Sequence, residues 1–143
     1  MRIRTVAVVL ISLAVATVAA VAVGAAVTDG PRRPPLRLPA ASAFPTGTCR
    51  DAADAVLALG RFTYENEGAS RLPADSYPFL RQRAEHLAAV REGAEQALSG
   101  RIDAVLTAIG FLRLRPGKAY DPQLLRDLET TRADLQQTCV SQA

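Results

Sequence analysis

An all-α fold is what these 143 residues predict, and three observations predict it. Apolar residues recur at helical spacing from Thr48 to the C-terminus, and no stretch alternates with the period of two that a half-buried strand needs. The strongest breakers, Gly68 and Pro116-Gly117, fall between the periodic stretches and not inside them. Ahead of them lies Thr5–Val27, 23 residues with no charge and no proline. The predicted order is an N-terminal membrane or signal helix, a Pro-rich linker, and a disulfide-locked helical bundle.

A 23-residue helix is about 35 Å long, enough to cross a hydrocarbon core of about 30 Å. Arg2 and Arg4 form the short flank 1–4, and residues 5–27 form the span. A cleaved signal peptide is the alternative. Ala20-Val21-Ala22 and Gly24-Ala25-Ala26 are small-x-small cleavage candidates, but the apolar core exceeds the 7–15 residues usual for a signal. The anchor is therefore favoured, and both readings put the rest of the chain outside the cytoplasm. The arginines do not fix the orientation, because Arg32, Arg33 and Arg37 follow the span within the range where positive charges count, as Arg2 and Arg4 precede it.

The cysteines supply the direction. Cys49 and Cys139 open and close the sequence of the domain, and an even pair in an exported chain reads as one disulfide. Closing a loop of this length removes about 4–5 kcal/mol of unfolded-state entropy in the chain-entropy model. The expected location is the cell membrane, single-pass with the C-terminal domain outside, or secretion if the signal is cleaved.

The formal charge of +3 suggests an anionic partner until the chain is divided. Residues 1–47 hold five arginines against Asp29, and the remainder is close to neutral. The interspersed charges lack the clustered basic face of a nucleic-acid-binding domain, so no nucleic acid is expected. The arginines read as solvated helix faces.

Residues 28–47 contain Pro31, Pro34, Pro35, Pro39 and Pro45. They read as a polyproline-leaning spacer before an extracytoplasmic domain at 48–143. The first domain helix starts at Thr48, with Asp51 three residues on in a capping-box-like pattern. Cys49, Ala52, Ala53, Val56, Leu57, Gly60 and Thr63/Tyr64 form its apolar stripe, which ends near Asn66. A second periodic line runs through Leu80, Ala84, Leu87, Ala94, Leu98, Ile102, Val105, Ile109 and Leu112. Asp121-Pro122 is an N-cap and N1 pair, and Leu125, Leu128, Arg132, Leu135 and Cys139 form the last stripe. Arg132 interrupts that stripe and is expected to snorkel.

The middle line admits two architectures. Unbroken, it is one long central helix in a three-helix arrangement. Broken at Gly100, it gives a four-helix up-down bundle. Both allow a Cys49–Cys139 bridge. The apolar phase runs through Gly100 without a loop-forming cluster, which favours the long helix. That arrangement is two helices deep and calls for a partner or a dimer, whereas four helices bury their own core.

Catalytic constellations are not legible. His86 lies at the edge of the apolar stripe beside Glu85, with no nucleophile motif in the sequence. Two cysteines and one histidine do not make a metal site, and no cofactor motif occurs. Arg50/Asp54, Arg81/Glu85 and Arg91/Glu95 are i,i+4 pairs in the weaker order. The candidate partner patch is aromatic: Phe62, Tyr64, Tyr77 and Phe79 gather around the first turn, at the end expected to lie far from the linker. The reading is a non-catalytic interaction, scaffold or sensor-like module tethered to the membrane, with a homodimer or another envelope protein as partner. The alternative is a small-ligand carrier with an apolar bundle cavity, which a self-packed four-helix core would favour.

Overall fold

Among the described residues, four α-helices, a short 3-10 turn at Ala41–Ala43 and one disulfide make up the fold. The computed structural model describes residues 33–114 and 121–142. The Thr5–Val27 segment, the start of the linker and the Pro116-Gly117 break lie outside the described residues. No helix among the described residues is long and apolar enough to cross a membrane. The helices are α1 (Thr48–Asn66), α2 (Ser76–Glu92), α3 (Gln96–Arg113) and α4 (Pro122–Val140).

The long central helix is not formed. Glu92 ends α2, and Gln96 opens α3. Gly93, Ala94 and Glu95 reverse the chain, with the Gly93 and Ala94 amides donating to the Val90 and Arg91 carbonyls. Folding back lets the two halves of the line face a common interior. Leu80 and Leu87 of α2 are then fully buried together with Ile102, Val105 and Ile109 of α3. The break also lies seven residues before Gly100, which sits exposed inside α3.

The result is an up-down-up-down bundle in which each helix packs on its chain neighbours and α4 closes onto α1. A polar contact crosses every one of these seams. Arg83 of α2 pairs with Asp54 of α1 at 2.5 Å. Arg91 of α2 pairs with Asp103 of α3, and Arg101 of α3 with Asp134 of α4. Thr63 of α1 donates to Glu129 of α4 at 2.5 Å. The Asp103 hydrogen bond, and then its charge, hold the Arg91 guanidinium above its ordinary pKa. Of the three i,i+4 pairs expected, Arg81–Glu85 forms, at 3.7 Å. Asp54 and Arg91 are drawn across seams instead, and Arg50 turns to the incoming chain.

That chain is packed from Leu38 onward, although the composition of 28–47 suggests a spacer up to Gly47. Phe44 is completely buried and Leu38 packs against the core. Arg50 donates from Nε and Nη2 to the Phe44 carbonyl, at 2.9 and 2.5 Å. It also donates from Nη2 to the Ser42 carbonyl at 3.2 Å. Gly47 then turns the chain into α1 with φ 90, a conformation that favours glycine. Thr48 is therefore the first helical residue and not the cap, and the Gly47 N-cap makes no side-chain hydrogen bond. At α4 the expected cap forms: Asp121 accepts from the Gln123 amide at 2.8 Å.

Cys49 and Cys139 are bonded at 2.01 Å with Cα atoms 5.4 Å apart. The bond ties the start of α1 to the end of α4 across a separation of 90 residues. Replacing both cysteines by alanine should lower the unfolding free energy by about 3–5 kcal/mol. Urea titration followed by circular dichroism reads this, and an unchanged midpoint and slope would show that the bundle does not depend on its staple.

Candidate functional site

The aromatic patch is divided by the fold. Phe62 near the end of α1 stacks on Phe79 near the start of α2, with ring centroids 5.2 Å apart and planes inclined by 26°. Such offset pairs are favourable beyond the area they bury. Arg83, one turn along α2, lies over the Phe79 ring at 5.3 Å, within range of a cation–π contact. Its Nη1 is held by Asp54, while its buried Nε meets no acceptor among the described residues. These side chains line an open cleft of about 530 Å³, rimmed by Arg61, Glu65 and Asp75.

Tyr77 lines a second cleft, of about 270 Å³, with Pro78, Arg81 and Arg113. Tyr64 is half-buried and lines neither cleft. Two residues along a helix turn a side chain to the opposite side, which is why Phe62 and Tyr64 part. The patch was also expected far from the linker. Leu38 instead reaches α1 beside Gly60, less than two turns from Phe62.

The most constrained polar cluster lies on the other side of α1, where periodicity suggested only a snorkelling arginine. Arg132 is 3% exposed. Its guanidinium is held on its own helix: Nε and Nη2 donate to Glu129 at 2.9 and 2.6 Å, and Nη1 donates to Gln136 at 2.6 Å. Thr63 completes the Glu129 carboxylate from α1. A Cβ placed on Gly60 would lie 3.3 Å from the Arg132 Cζ and Nη1 and 3.0 Å from a Leu38 methyl. The glycine thus makes a flat floor for a buried guanidinium. Glu129 and Gln136 at i−3 and i+4 from Arg132 were the signal in the sequence, since helical residues at those spacings are neighbours.

His86 is half-buried, with Nε2 2.8 Å from the Asp51 carbonyl oxygen. A carbonyl can only accept, so Nε2 carries the proton. The imidazole thus ties α2 to the first turn of α1. Among the described residues no three His, Cys, Asp or Glu side chains gather as a metal cluster. Comparison with protein-family models, curated proteins and solved structures returns no match.

The Arg132 cluster makes two linked predictions. Glu129→Ala leaves a buried guanidinium short of its counter-charge and should destabilise by about 2–3 kcal/mol. Gly60→Ala improves helix propensity but crowds Leu38 and Arg132, for a net loss of about 1–2 kcal/mol. Thermal denaturation of both variants reads these effects. A stabilised Gly60→Ala would show that Leu38 yields freely.

Proposed function

We propose that this chain is a non-catalytic, membrane-tethered interaction module displayed outside the cytoplasm. The observation that carries the reading is the Cys49–Cys139 bond, because disulfides persist in oxidising compartments. It follows a 23-residue uncharged segment in the same chain, so export and crosslink agree. The titratable groups of the domain support the non-catalytic part. Glu129, Arg83, Asp54 and His86 make contacts between helices, and Arg132 is held by Glu129 and Gln136 on its own helix.

The bundle interior supports a scaffold more than a carrier. Four helices do bury their own core, the arrangement in which an apolar cavity was expected. Leu59, Leu80, Leu87, Ile102, Ile109, Leu128 and Leu135 are each fully buried in it. The Phe62–Phe79 cleft is the place where a partner side chain would seat against aromatic faces.

The test is fractionation of the full chain with N-terminal sequencing and thiol counting. An intact N-terminus in alkali-resistant membranes, with no free thiol, is the expected result. A mature start near Val23 or Val27 would replace the tether with secretion. Intact chain carrying two free thiols would place the domain on the reducing side and reject the reading.

A further inference from the structure

Helix α3 turns an uncharged face to solvent. Ala97, Gly100, Ala104, Thr107, Phe111 and Leu114 are all exposed. They follow one another in alternating steps of three and four, the spacing of a coiled-coil seam. Phe111 is 53% exposed and Leu114 is 72% exposed. Leu114 keeps helical backbone angles just past the end of α3, so it stays in line.

The face is graded by size. Its N-terminal half is Ala97, Gly100 and Ala104, and its C-terminal half is Thr107, Phe111 and Leu114. Gly100 has no internal explanation. Glycine is among the poorest helix formers, its φ here is not positive, and a Cβ on it would meet nothing within 4 Å. Gly110 is equally open, so what sets Gly100 apart is its place in the row, where it leaves room for close approach from outside. The charged residues along the flanks already have partners: Asp103 is paired with Arg91 and Arg101 with Asp134. Covering the face therefore strands no charge.

We propose that this face joins two copies of the chain, α3 against α3, antiparallel about a two-fold axis between Val105 and Leu106. A two-fold contact is self-complementary, so its midpoint fixes every pairing. Phe111 lies over the partner's Gly100, Leu114 over the partner's Ala97, and Thr107 over the partner's Ala104. Each larger side chain meets a smaller one. A parallel pair would set phenylalanine on phenylalanine at one end and leave glycine on glycine at the other. One pair of 18-residue helices covers less than the roughly 1,200–2,000 Å² of a standard interface. The contact is thus weak between free chains and strengthened where chains share a surface. That strengthening rests on the tethered reading; the pairing itself does not.

The test uses full chains, donor- or acceptor-labelled at the C-terminus, mixed in liposomes and read by energy transfer. Wild type should associate. Gly100→Phe and Phe111→Ala should each weaken association at least tenfold, and the exchange variant Gly100→Phe/Phe111→Ala should recover most of it. Both substitutions are at exposed positions, and unchanged thermal melting of all three variants confirms folding. Absence of wild-type association both in liposomes and in solution, indifference to Gly100→Phe, or failure of the exchange to rescue would each overturn the two-fold pairing. Light scattering on N-terminally processed chain at high concentration, with the same variants, reads the pairing without the membrane. Loss of transfer in liposomes with retained, variant-sensitive dimers in solution would sink the tether and leave the interface standing.

Discussion

Three segments converge at Gly60. The incoming chain brings Leu38 within 3.0 Å of where its side chain would begin, and α4 brings the Arg132 guanidinium within 3.3 Å. Any larger residue would push one of them away. If α4 moved outward, the Cys49–Cys139 bond would have to follow. If Leu38 moved outward, Phe44 and the carbonyls held by Arg50 would be pulled with it. The seam, the staple and the strap are therefore coupled through one missing methyl group. This explains why α1 is buried on almost every side, including Ala55, Ala58, Leu59 and Phe62 outside its apolar stripe. A helix that apolar needs more cover than two neighbouring helices provide, and the segment from Leu38 to Phe44 supplies it.

The reversal at Gly93–Glu95 follows from the same requirement. A continuous helix from Tyr77 to Arg113 would keep local hydrogen bonds that the turn sacrifices. It would also leave long stretches of the apolar line against water. Burial of a leucine side chain is worth about 1.5–3 kcal/mol, and Leu80, Leu87, Leu98 and Leu112 are all buried once the chain folds back. A few helical hydrogen bonds, each contributing about 1 kcal/mol net, cannot compensate for that exposure. The apolar phase appeared continuous because both halves point to one core. Gly93 between Glu92 and Glu95 was the local mark of the turn, and it was weak because Ala94 carried the phase across.

Local signals in the sequence were reliable wherever the cause was local. The limits of α1 and α4, the Asp121 cap and the buried line Leu125, Leu128, Leu135 and Cys139 follow from spacing and capping chemistry. The cysteine pair was legible because two cysteines allow one intramolecular connection. Long-range causes stayed hidden. Nothing near Phe44 indicates that it will be covered completely, since its partners come from helices that follow it. Arg132 looked exposed because a charged residue on an apolar stripe usually reaches water. Here its own helix satisfies it, and a glycine on another helix makes the room. The aromatic patch divided because nearness in sequence does not bring residues two apart onto one face.

The division of the surface follows from this distribution of charge. The seams α1–α2, α2–α3 and α3–α4 are each crossed by an arginine–aspartate pair; the two on α3 are exposed on both partners, and such pairs add little stability. They do fix which helix face turns inward, because rotation of α3 would separate Arg91 from Asp103 and Arg101 from Asp134 together. With α3 held from both flanks, its outward face is set by what those pairs leave over, which is the uncharged row from Ala97 to Leu114. An outward row with Phe111 and Leu114 at one end and Gly100 at the other is costly for a helix facing only water. The core does not require it, and neither does helix propensity. The proposed pairing of α3 with a second copy would account for both the bulk at one end and the gap at the other.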